Sequence, residues 1–200
     1  RGAIAVLTHK NGDMDTVGSA IALAASCHSA MACGVHLSRL SSRMVEKFSA
    51  PFMRLDADVP RWPKSLSGIV VVDAAAPDQV GLELPKDVPL CIIDHHSTNE
   101  WDAGEGGLNV TWDVSSTTQI IHDYLHEFHL SSMSNEVVSL LLAGLITDTG
   151  RFKHADLSSF ESACKLIAEV TLDYAAFIEE LEQDDLTRSD KGAIAKSLSR

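Results

Sequence analysis

The sequence lacks a surplus of positive charge and is poor in aromatic residues. Lysine and arginine contribute 16 residues against 28 aspartates and glutamates, the formal charge is −12, and aromatic residues make up 6% of the chain. Binding along a nucleic acid needs clustered lysine and arginine, and single-strand binding also uses aromatic stacking platforms. We therefore expect no long duplex nucleic acid as a partner, and a processive exonuclease on single strands is a weak alternative. Small phosphorylated molecules fit better, since bound cations can supply the positive charge.

Long apolar runs and paired cysteines are also missing. No stretch is apolar for long enough to cross a bilayer, and no basic start precedes an apolar signal region. We therefore expect a soluble, cytoplasmic protein that has no membrane partner. The cysteines form no CxxC pair, so we interpret them as reduced thiols of the core. They are Cys27, Cys33, Cys91 and Cys164.

Apolar runs alternate with segments of helical periodicity along 200 residues, a length typical of one domain. This alternation predicts an α/β fold, a doubly wound and mostly parallel sheet flanked by helices. The predicted strands are 4–7, 35–37, 68–73, 90–94 and 108–112. The predicted helices are 16–31, 41–48, 115–128, 134–146, 157–170 and 173–183.

Polar groups follow four of the apolar elements directly. The run before residue 94 ends in a carboxylate and two imidazoles, and carboxylates also follow the first strand, the 68–73 strand and the 134–146 helix. Open α/β sheets place their sites at the carboxyl ends of the strands, so we expect these groups to converge. The candidates are His9, Asp13, Asp15, Asp73, Asp94, His95, His96 and Asp148.

Four of these aspartates would repel one another if they met without compensation, and some would take up protons. Two divalent cations bring four positive charges to balance Asp13, Asp15, Asp73 and Asp148. We therefore predict a two-metal centre. The mixed oxygen and imidazole ligands suit Mn²⁺, and Mg²⁺, Co²⁺ or Zn²⁺ are also compatible.

The motifs and their order resemble the DHH phosphoesterases. They are His9-x-x-x-Asp13-x-Asp15 followed by Gly18-Ser19, Asp73 after a valine-rich strand, Asp94-His95-His96, and Thr147-Asp148-Thr149-Gly150. The resemblance implies that one Mn²⁺ is held by His9 and Asp13, and the second by Asp15, His95 and Asp148. It implies that Asp73 bridges the two ions. It also implies that His96 faces the substrate phosphate while Asp94 fixes an imidazole.

Within this family, two stretches resemble the branch of nanoRNases and 3′-phosphoadenosine 5′-phosphate phosphatases, namely 147–152 and Ser115-Ser116-Thr117. The implied substrates are short oligoribonucleotides or a nucleoside 3′,5′-bisphosphate. Asn11 in the first motif also resembles family II inorganic pyrophosphatases, so a pyrophosphatase or exopolyphosphatase is the alternative. A regulatory module that binds a nucleotide without hydrolysing it is a third hypothesis.

Ser115, Ser116, Arg151 and Lys10 are the candidates for contacting the substrate. Helix capping is the commoner explanation for the two serines, and an ordinary loop charge explains each of the two cations at least as well as a substrate contact. Three positions depart from the family pattern, since Gly12 stands where proline is usual, Thr16 where alanine is frequent and Gln79 where many members carry arginine. The missing arginine bears on the substrate and not on the metals.

Members of this family usually continue into a second domain that grips the substrate. The resemblance therefore implies a catalytic domain at 1–183, and a linker toward a substrate-binding domain that starts at 184–200. Because the chain opens on Arg1-Gly2 without methionine, we expect it to be a piece of a longer protein. A homodimer is left open.

Three histidines share one face of the predicted helix 115–128 and the residue after it. They are His122, His126 and His129. Their spacing suggests a second metal site, but no acidic or thiol third ligand is evident in the sequence. We therefore interpret them as a solvated helix face.

Overall fold

The computed structural model describes residues 2–183, which form a six-stranded, all-parallel sheet with helices packed against it. The strands are β1 (Ala3–Leu7), β2 (Ala30–Gly34), β3 (Met53–Arg54), β4 (Leu66–Val72), β5 (Leu90–Asp94) and β6 (Leu108–Thr111). The α-helices are α1 (Met14–Ala25), α2 (Arg39–Lys47), α3 (Thr117–Phe128), α4 (Asn135–Asp148), α5 (Leu157–Glu169) and α6 (Tyr174–Glu182). The predicted fold class is confirmed. The predicted linker at 184–200 lies outside the described residues.

The strand order is β3-β2-β1-β4-β5-β6, so the direction of winding reverses between β1 and β4. At such a reversal the loops that leave two neighbouring strands diverge and open a crevice at the carboxyl edge. The register pairs Leu7 with Val71, so the chain leaves both strands at nearly the same height. The loops that carry His9 and Asp73 therefore begin side by side.

The larger core lies between the sheet and the helices, where α1 and α4 pack closely. A Cβ added to Gly18 of α1 would lie 2.7 Å from the carbonyl oxygen of Leu140, and one added to Gly144 of α4 would lie 2.5 Å from Cγ2 of Thr118. Glycine at these two positions is what lets the helix backbones approach. Gly18 therefore has a packing role.

We expect Gly18→Ala to lower the free energy of unfolding by about 1–3 kcal/mol, because the added methyl group meets a backbone oxygen that cannot move away alone. Gly68→Ala is the matched control, since its Cβ would meet only the Pro89 carbonyl oxygen, at an ordinary 3.7 Å. Urea denaturation of the two variants and the native protein measures the difference. Equal midpoints for the two variants would contradict the packing role.

The opposite face of the sheet carries a smaller core that includes Leu7, Ile69 and Val71. Loop residues cover this face, among them Trp62 and Trp101, and the Trp101 indole N–H donates to the Ala74 carbonyl oxygen at 2.7 Å. This bond anchors the loop that follows Asp73. Along the described residues, none of the helices combines the length and apolarity that a membrane crossing requires.

Three details of the predicted elements were wrong. The first helix ends at Ala25, whereas the sequence predicts that it reaches residue 31. The second strand is Ala30–Gly34, whereas the sequence predicts it at 35–37. Alanine favours helices locally, but pairing of this small-residue segment with β1 overrides that preference. The short strand β3 was not predicted. All four cysteines are free as expected, but of the four only Cys33 is a buried core thiol, and Cys164 is exposed on α5.

Candidate metal centre

The loop after β1 is shaped to hold His9 and Asp13 close together. Asp13 caps α1 by accepting a hydrogen bond from the Thr16 amide at 3.2 Å, and its Oδ2 lies 3.1 Å from His9 Nε2. Gly12 has φ +56°, and a Cβ there would lie 2.1 Å from the His36 carbonyl oxygen. Proline fixes φ near −65° and could not adopt this turn, which accounts for the glycine.

Thr16 ties this loop to the neighbouring strand. Its hydroxyl donates to the Val72 carbonyl oxygen at 2.9 Å and accepts from the His9 amide at 3.2 Å. An alanine at this position would make neither bond. The departure from the family pattern therefore adds a polar link between the end of β4 and His9.

Asp73 occupies the middle of the centre, directly after β4. It is buried, and its backbone is in the left-handed region at φ +60°, a strained conformation for a residue with a side chain. Its two oxygens face different histidines, with Oδ2 3.5 Å from His9 Nε2 and Oδ1 3.4 Å from His95 Nε2. Thr117 donates its hydroxyl to Oδ1 at 3.1 Å.

Asp15 is held by the amino end of α3. The backbone amides of Thr117 and Thr118 donate to its two carboxylate oxygens at 2.7 and 2.8 Å, where the helix dipole also favours a negative charge. Both threonines were missed as site residues by the sequence analysis. The Ser-Ser-Thr-Thr run that opens α3 was the available signal.

The two adjacent histidines after β5 have separate partners. His95 Nδ1 lies 3.1 Å from the Val114 carbonyl oxygen and donates to it, which turns Nε2 toward Asp73 and to within 3.5 Å of Asp148 Oδ2. His96 Nδ1 lies 2.7 Å from Oδ1 of the fully buried Asp94. Asp94 thus fixes the ring of His96, as the resemblance implied for an imidazole.

Burial and mutual repulsion destabilise the charged forms of two carboxylates. Burial first, and then the charges of Asp73 and Asp148, raise the pKa of Asp15 well above its ordinary value. Burial also raises the pKa of Asp148 to about 6, with repulsion from Asp73 adding to it and His95 opposing it. Burial alone would raise the pKa of Asp73, but hydrogen bonds from His9 and His95 keep it well below its ordinary value.

At the histidines, the neighbouring carboxylates stabilise the charged form of the side chain. Burial would lower the pKa of His95, but its contact with Asp73 and the charges of Asp15 and Asp148 raise it to about 9. Burial would also lower the pKa of His9, yet Asp13 and Asp73 raise it to about 10. The Asn11 amide points at His9 Nδ1 from 3.1 Å and favours the neutral ring, but two carboxylates outweigh one amide. The centre attracts positive charge strongly.

The potential ligand atoms form two groups that share a carboxylate. The donors of His9, Asp13 and Asp73 lie within 4.8 Å of one another, and so do those of Asp15, His95 and Asp148. A third group of the same size joins Asp73 to His95 and His96. Asp73 links the first two groups through its contacts with His9 and His95. These groups contain seven of the eight residues that were predicted to converge, and Asp94 joins them through its hydrogen bond with His96.

A family model described as DHH family, N-terminal domain, matches residues 3–145. The chain belongs to the DHH family.

Two uncharacterized proteins of Methanocaldococcus jannaschii resemble this DHH chain in sequence. MJ0988 is 27% identical over 191 residues, 92% of the chain and 56% of the relative. MJ1633 is 26% identical over 202 residues, 96% of the chain and 40% of the relative. The chain thus spans about half the length of the curated relatives that it matches.

Two solved structures share the DHH fold. A candidate family II inorganic pyrophosphatase from Methanococcus jannaschii has a TM-score of 0.63 at 23% identity, over 88% of this chain and 59% of its own. An exopolyphosphatase-related protein from Bacteroides fragilis has a TM-score of 0.76 at 17% identity, over 100% of this chain and 61% of its own. At these identities the likeness shows the fold and not the activity.

A cleft of about 200 Å³ opens over the centre of the DHH domain. Besides five of the residues already described, Lys10, Asn11 and Gln79 line it. The side-chain oxygen of Gln79 accepts from the Ala75 amide at 2.7 Å, and its backbone carbonyl oxygen accepts from the Lys10 amide. Gln79 therefore shapes the wall of the cleft at a position where many family members carry arginine. Lys10 is the single lysine or arginine among the described lining residues.

The other three candidates for substrate contact do not line this cleft. Ser116 is buried and its hydroxyl bonds to that of Thr118 at 2.9 Å, while the Ser115 hydroxyl accepts from Ser159 at 2.8 Å. The Arg151 side chain lies on the surface, with Nε 3.1 Å from Glu182 Oε1. The two serines are engaged in packing the start of α3.

We expect the affinity of this centre for Mn²⁺ to rise with pH, by at least about tenfold per unit between pH 7 and the pKa of about 9 at His95. Below that pKa the Nε2 of His95 carries a proton, which a metal ion must displace. Calorimetric titration in two buffers of different ionisation enthalpy should show at least one proton released per chain at pH 7.

The same pKa sets the stability of the metal-free protein. A raised histidine pKa stabilises the fold at pH values below about 6.5, and this contribution is lost as the pH rises through about 9.

His28→Ala is the control for the calorimetric titration. It removes an exposed histidine and should release as many protons on binding Mn²⁺ as the native protein does. Metal affinity that does not change with pH would contradict the assignment of His95 Nε2 as a ligand.

Proposed function

We propose that this DHH domain is the catalytic half of a phosphoesterase that uses two Mn²⁺ ions and hydrolyses phosphate esters of small nucleotides. The substrates would be short oligoribonucleotides or a nucleoside 3′,5′-bisphosphate. The observation that carries the proposal is the position of Asp73, whose two oxygens face His9 on one side and His95 on the other. A carboxylate in this position can serve two cations at once.

The donor set suits divalent ions. His9 and Asp13 would hold one ion, Asp15, His95 and Asp148 the other, and Asp73 would contact both. Two cations would relieve the repulsion that raises the pKa of Asp15 and Asp148. Bound there, they would polarise the phosphate and lower the pKa of an attacking water.

Three residues of the chain would act on the substrate itself. His96 lines the cleft, and its hydrogen bond to Asp94 raises its pKa, which favours the protonated ring that can donate a proton to the departing oxygen. Asp94 orients the ring by holding Nδ1, which leaves Nε2 to face the substrate. Lys10 also lines the cleft, where its Nζ donates to the Asp78 carbonyl oxygen at 3.1 Å, and it would neutralise a phosphate oxygen.

The size of the cleft suits a substrate that places only one end in it. Its volume of about 200 Å³ is below the range of about 300–1,000 Å³ for sites that enclose whole ligands, so it fits one phosphoryl group with part of its ester. The nucleoside would extend toward a part of the protein beyond this chain.

An inorganic pyrophosphatase or exopolyphosphatase is the second candidate. The observation that favours it is Asn11, the residue shared with the pyrophosphatase motif, which lines the cleft beside Lys10. Phosphate would then take the place of the nucleoside as the leaving group. The metal ligands would be the same in both enzymes.

Hydrolysis of matched substrates in Mn²⁺ tests the proposal. We expect kcat/KM for a 5′-phosphorylated diadenylate or for 3′-phosphoadenosine 5′-phosphate to exceed that for pyrophosphate by at least about tenfold, a transition-state difference of about 1.4 kcal/mol. Chromatography detects AMP and a molybdate assay detects phosphate. Faster hydrolysis of pyrophosphate would establish the second candidate. Tight binding of a nucleotide without any hydrolysis would establish a regulatory module and overturn both.

A further inference from the structure

A second cluster of potential metal ligands lies on α3, away from the cleft. His122 and His126 are four residues apart, so their side chains leave the same face of the helix. Glu169, the last residue of α5, reaches both, with Oε2 3.2 Å from His122 Nε2 and Oε1 3.0 Å from His126 Nδ1. The third ligand that the sequence did not reveal is therefore present. The interpretation of this helix face as solvated was wrong for His122, which is fully buried.

The spacing of these atoms matches a zinc site. Zinc binds nitrogen and oxygen ligands at about 2.0–2.2 Å, so two ligands of a tetrahedral ion lie about 3.4 Å apart. The contacts of Glu169 with the two histidines are close to that value, and the three donor atoms lie within 4.8 Å of one another. Half of the His126 side chain is exposed, so an ion here would meet solvent at a fourth position.

The buried nitrogen of His122 gives an independent reason to expect an ion. Its Nδ1 is buried and has no hydrogen-bond partner among the described residues. Asp123 Oδ1 lies 3.5 Å away, at an ion-pair distance whose geometry is not that of a hydrogen bond. An ion on Nε2 would place the ring proton on Nδ1, facing the Asp123 carboxylate, which could accept it after a small rotation of its side chain. Histidine ligands of zinc are commonly oriented by a carboxylate in this way.

We propose that His122, His126 and Glu169 bind one Zn²⁺ ion, which fastens the end of α5 to the middle of α3. The site is separate from the catalytic pair, since none of its three residues lines the cleft, and His122 lies five residues along α3 from Thr117, about 7.5 Å at 1.5 Å per residue. The ion would join α5 to α3, the helix whose amino end holds Asp15. The proposal does not depend on the proposed function.

His129 does not belong to the site, although the sequence groups it with the other two histidines. The helix ends at Phe128, and His129 Nε2 lies 3.0 Å from the hydroxyl of Tyr124. His129 is therefore a matched control for His126 at the same end of the helix. Glu161, exposed on α5, is the matched control for Glu169.

The first experiment counts zinc by elemental analysis in five proteins that have been equilibrated with a small excess of Zn²⁺ and desalted. They are the native chain, His126→Ala, Glu169→Gln, and the controls His129→Ala and Glu161→Gln. Any zinc in the catalytic pair is the same in all five. We expect the native chain and the controls to carry one more zinc per chain than the two ligand variants. Equal zinc contents in all five would overturn the proposal.

A second measurement uses the unmutated chain, so it stands even if a variant fails to fold. After the catalytic pair has been saturated with Mn²⁺, added Co²⁺ should produce the intense visible absorption of a four-coordinate ion, and zinc should remove it. Only the weak absorption of six-coordinate cobalt, or none, would overturn the site.

Discussion

Replacing Asp73 by asparagine is expected to lower turnover by at least about 10³-fold, because the amide cannot supply a negatively charged oxygen to each of two cations. Asp73 is the residue that joins the two groups of ligands, with Oδ2 toward His9 and Oδ1 toward His95. Its loss should therefore reduce the metal content as well as the rate. Steady-state kinetics and elemental analysis of the same preparation measure the two effects together.

Asp87→Asn is the control for this substitution, since it makes the same chemical change at an exposed position before β5. It should leave the rate and the metal content unchanged. Circular dichroism and thermal unfolding show whether the Asp73 variant is folded. A folded Asp73→Asn protein with full activity would exclude a metal pair that shares this carboxylate.

The convergence of the centre could be predicted because parallel strands end at one edge. Asp73 and His95 follow neighbouring strands directly, and the connection after the first strand leads to Asp13 and then to Asp15 in the first turn of α1. Asp148 is different, since it ends a helix. It was included because its carboxylate follows a strongly apolar helix, which is a weaker signal, since periodicity alone does not say which way a helix end faces.

The supports of the centre could not be predicted from local sequence. Thr117 and Thr118 bind Asp15 across about a hundred residues of chain, through backbone amides that every residue possesses. Glu169 meets His122 across 47 residues for a similar reason, since the packing of α5 on α3 decides the contact. Residue type signals metal chemistry, whereas the partners that orient a ligand are set by tertiary packing.

The structure also separates two kinds of hydroxyl-rich helix start. The Asp156 side chain accepts from the Ser159 amide in an ordinary capping box at the start of α5. Ser116 makes no such bond at the start of α3, where the free amides bind Asp15 instead. The start of α3 is therefore neither capped by a serine side chain nor exposed to the substrate. Its backbone amides bind the Asp15 carboxylate of the metal centre instead.

His96→Ala is expected to lower turnover by about 10²–10⁴-fold while leaving the metal content unchanged. His96 lines the cleft and is hydrogen-bonded to Asp94. Its replacement by alanine therefore removes a proton donor but leaves every proposed metal ligand in place. Elemental analysis must accompany the kinetics, because the donors of His96 also lie within 4.8 Å of those of Asp73 and His95. Loss of metal in step with the rate would make His96 a ligand and refute its role as an acid.

The leaving group provides a sharper test of the same role. The p-nitrophenolate group of a p-nitrophenyl ester departs without needing a proton. The loss of turnover in His96→Ala should therefore be smaller with this substrate and stay large with a dinucleotide. The pH profile should agree, since the hydrogen bond to Asp94 raises the pKa of His96 and activity falls as the pH rises through that pKa. Asp94→Asn lowers the pKa of His96 and should move this fall to lower pH. An equal deficit with both substrates would mean that His96 positions the phosphate and donates no proton.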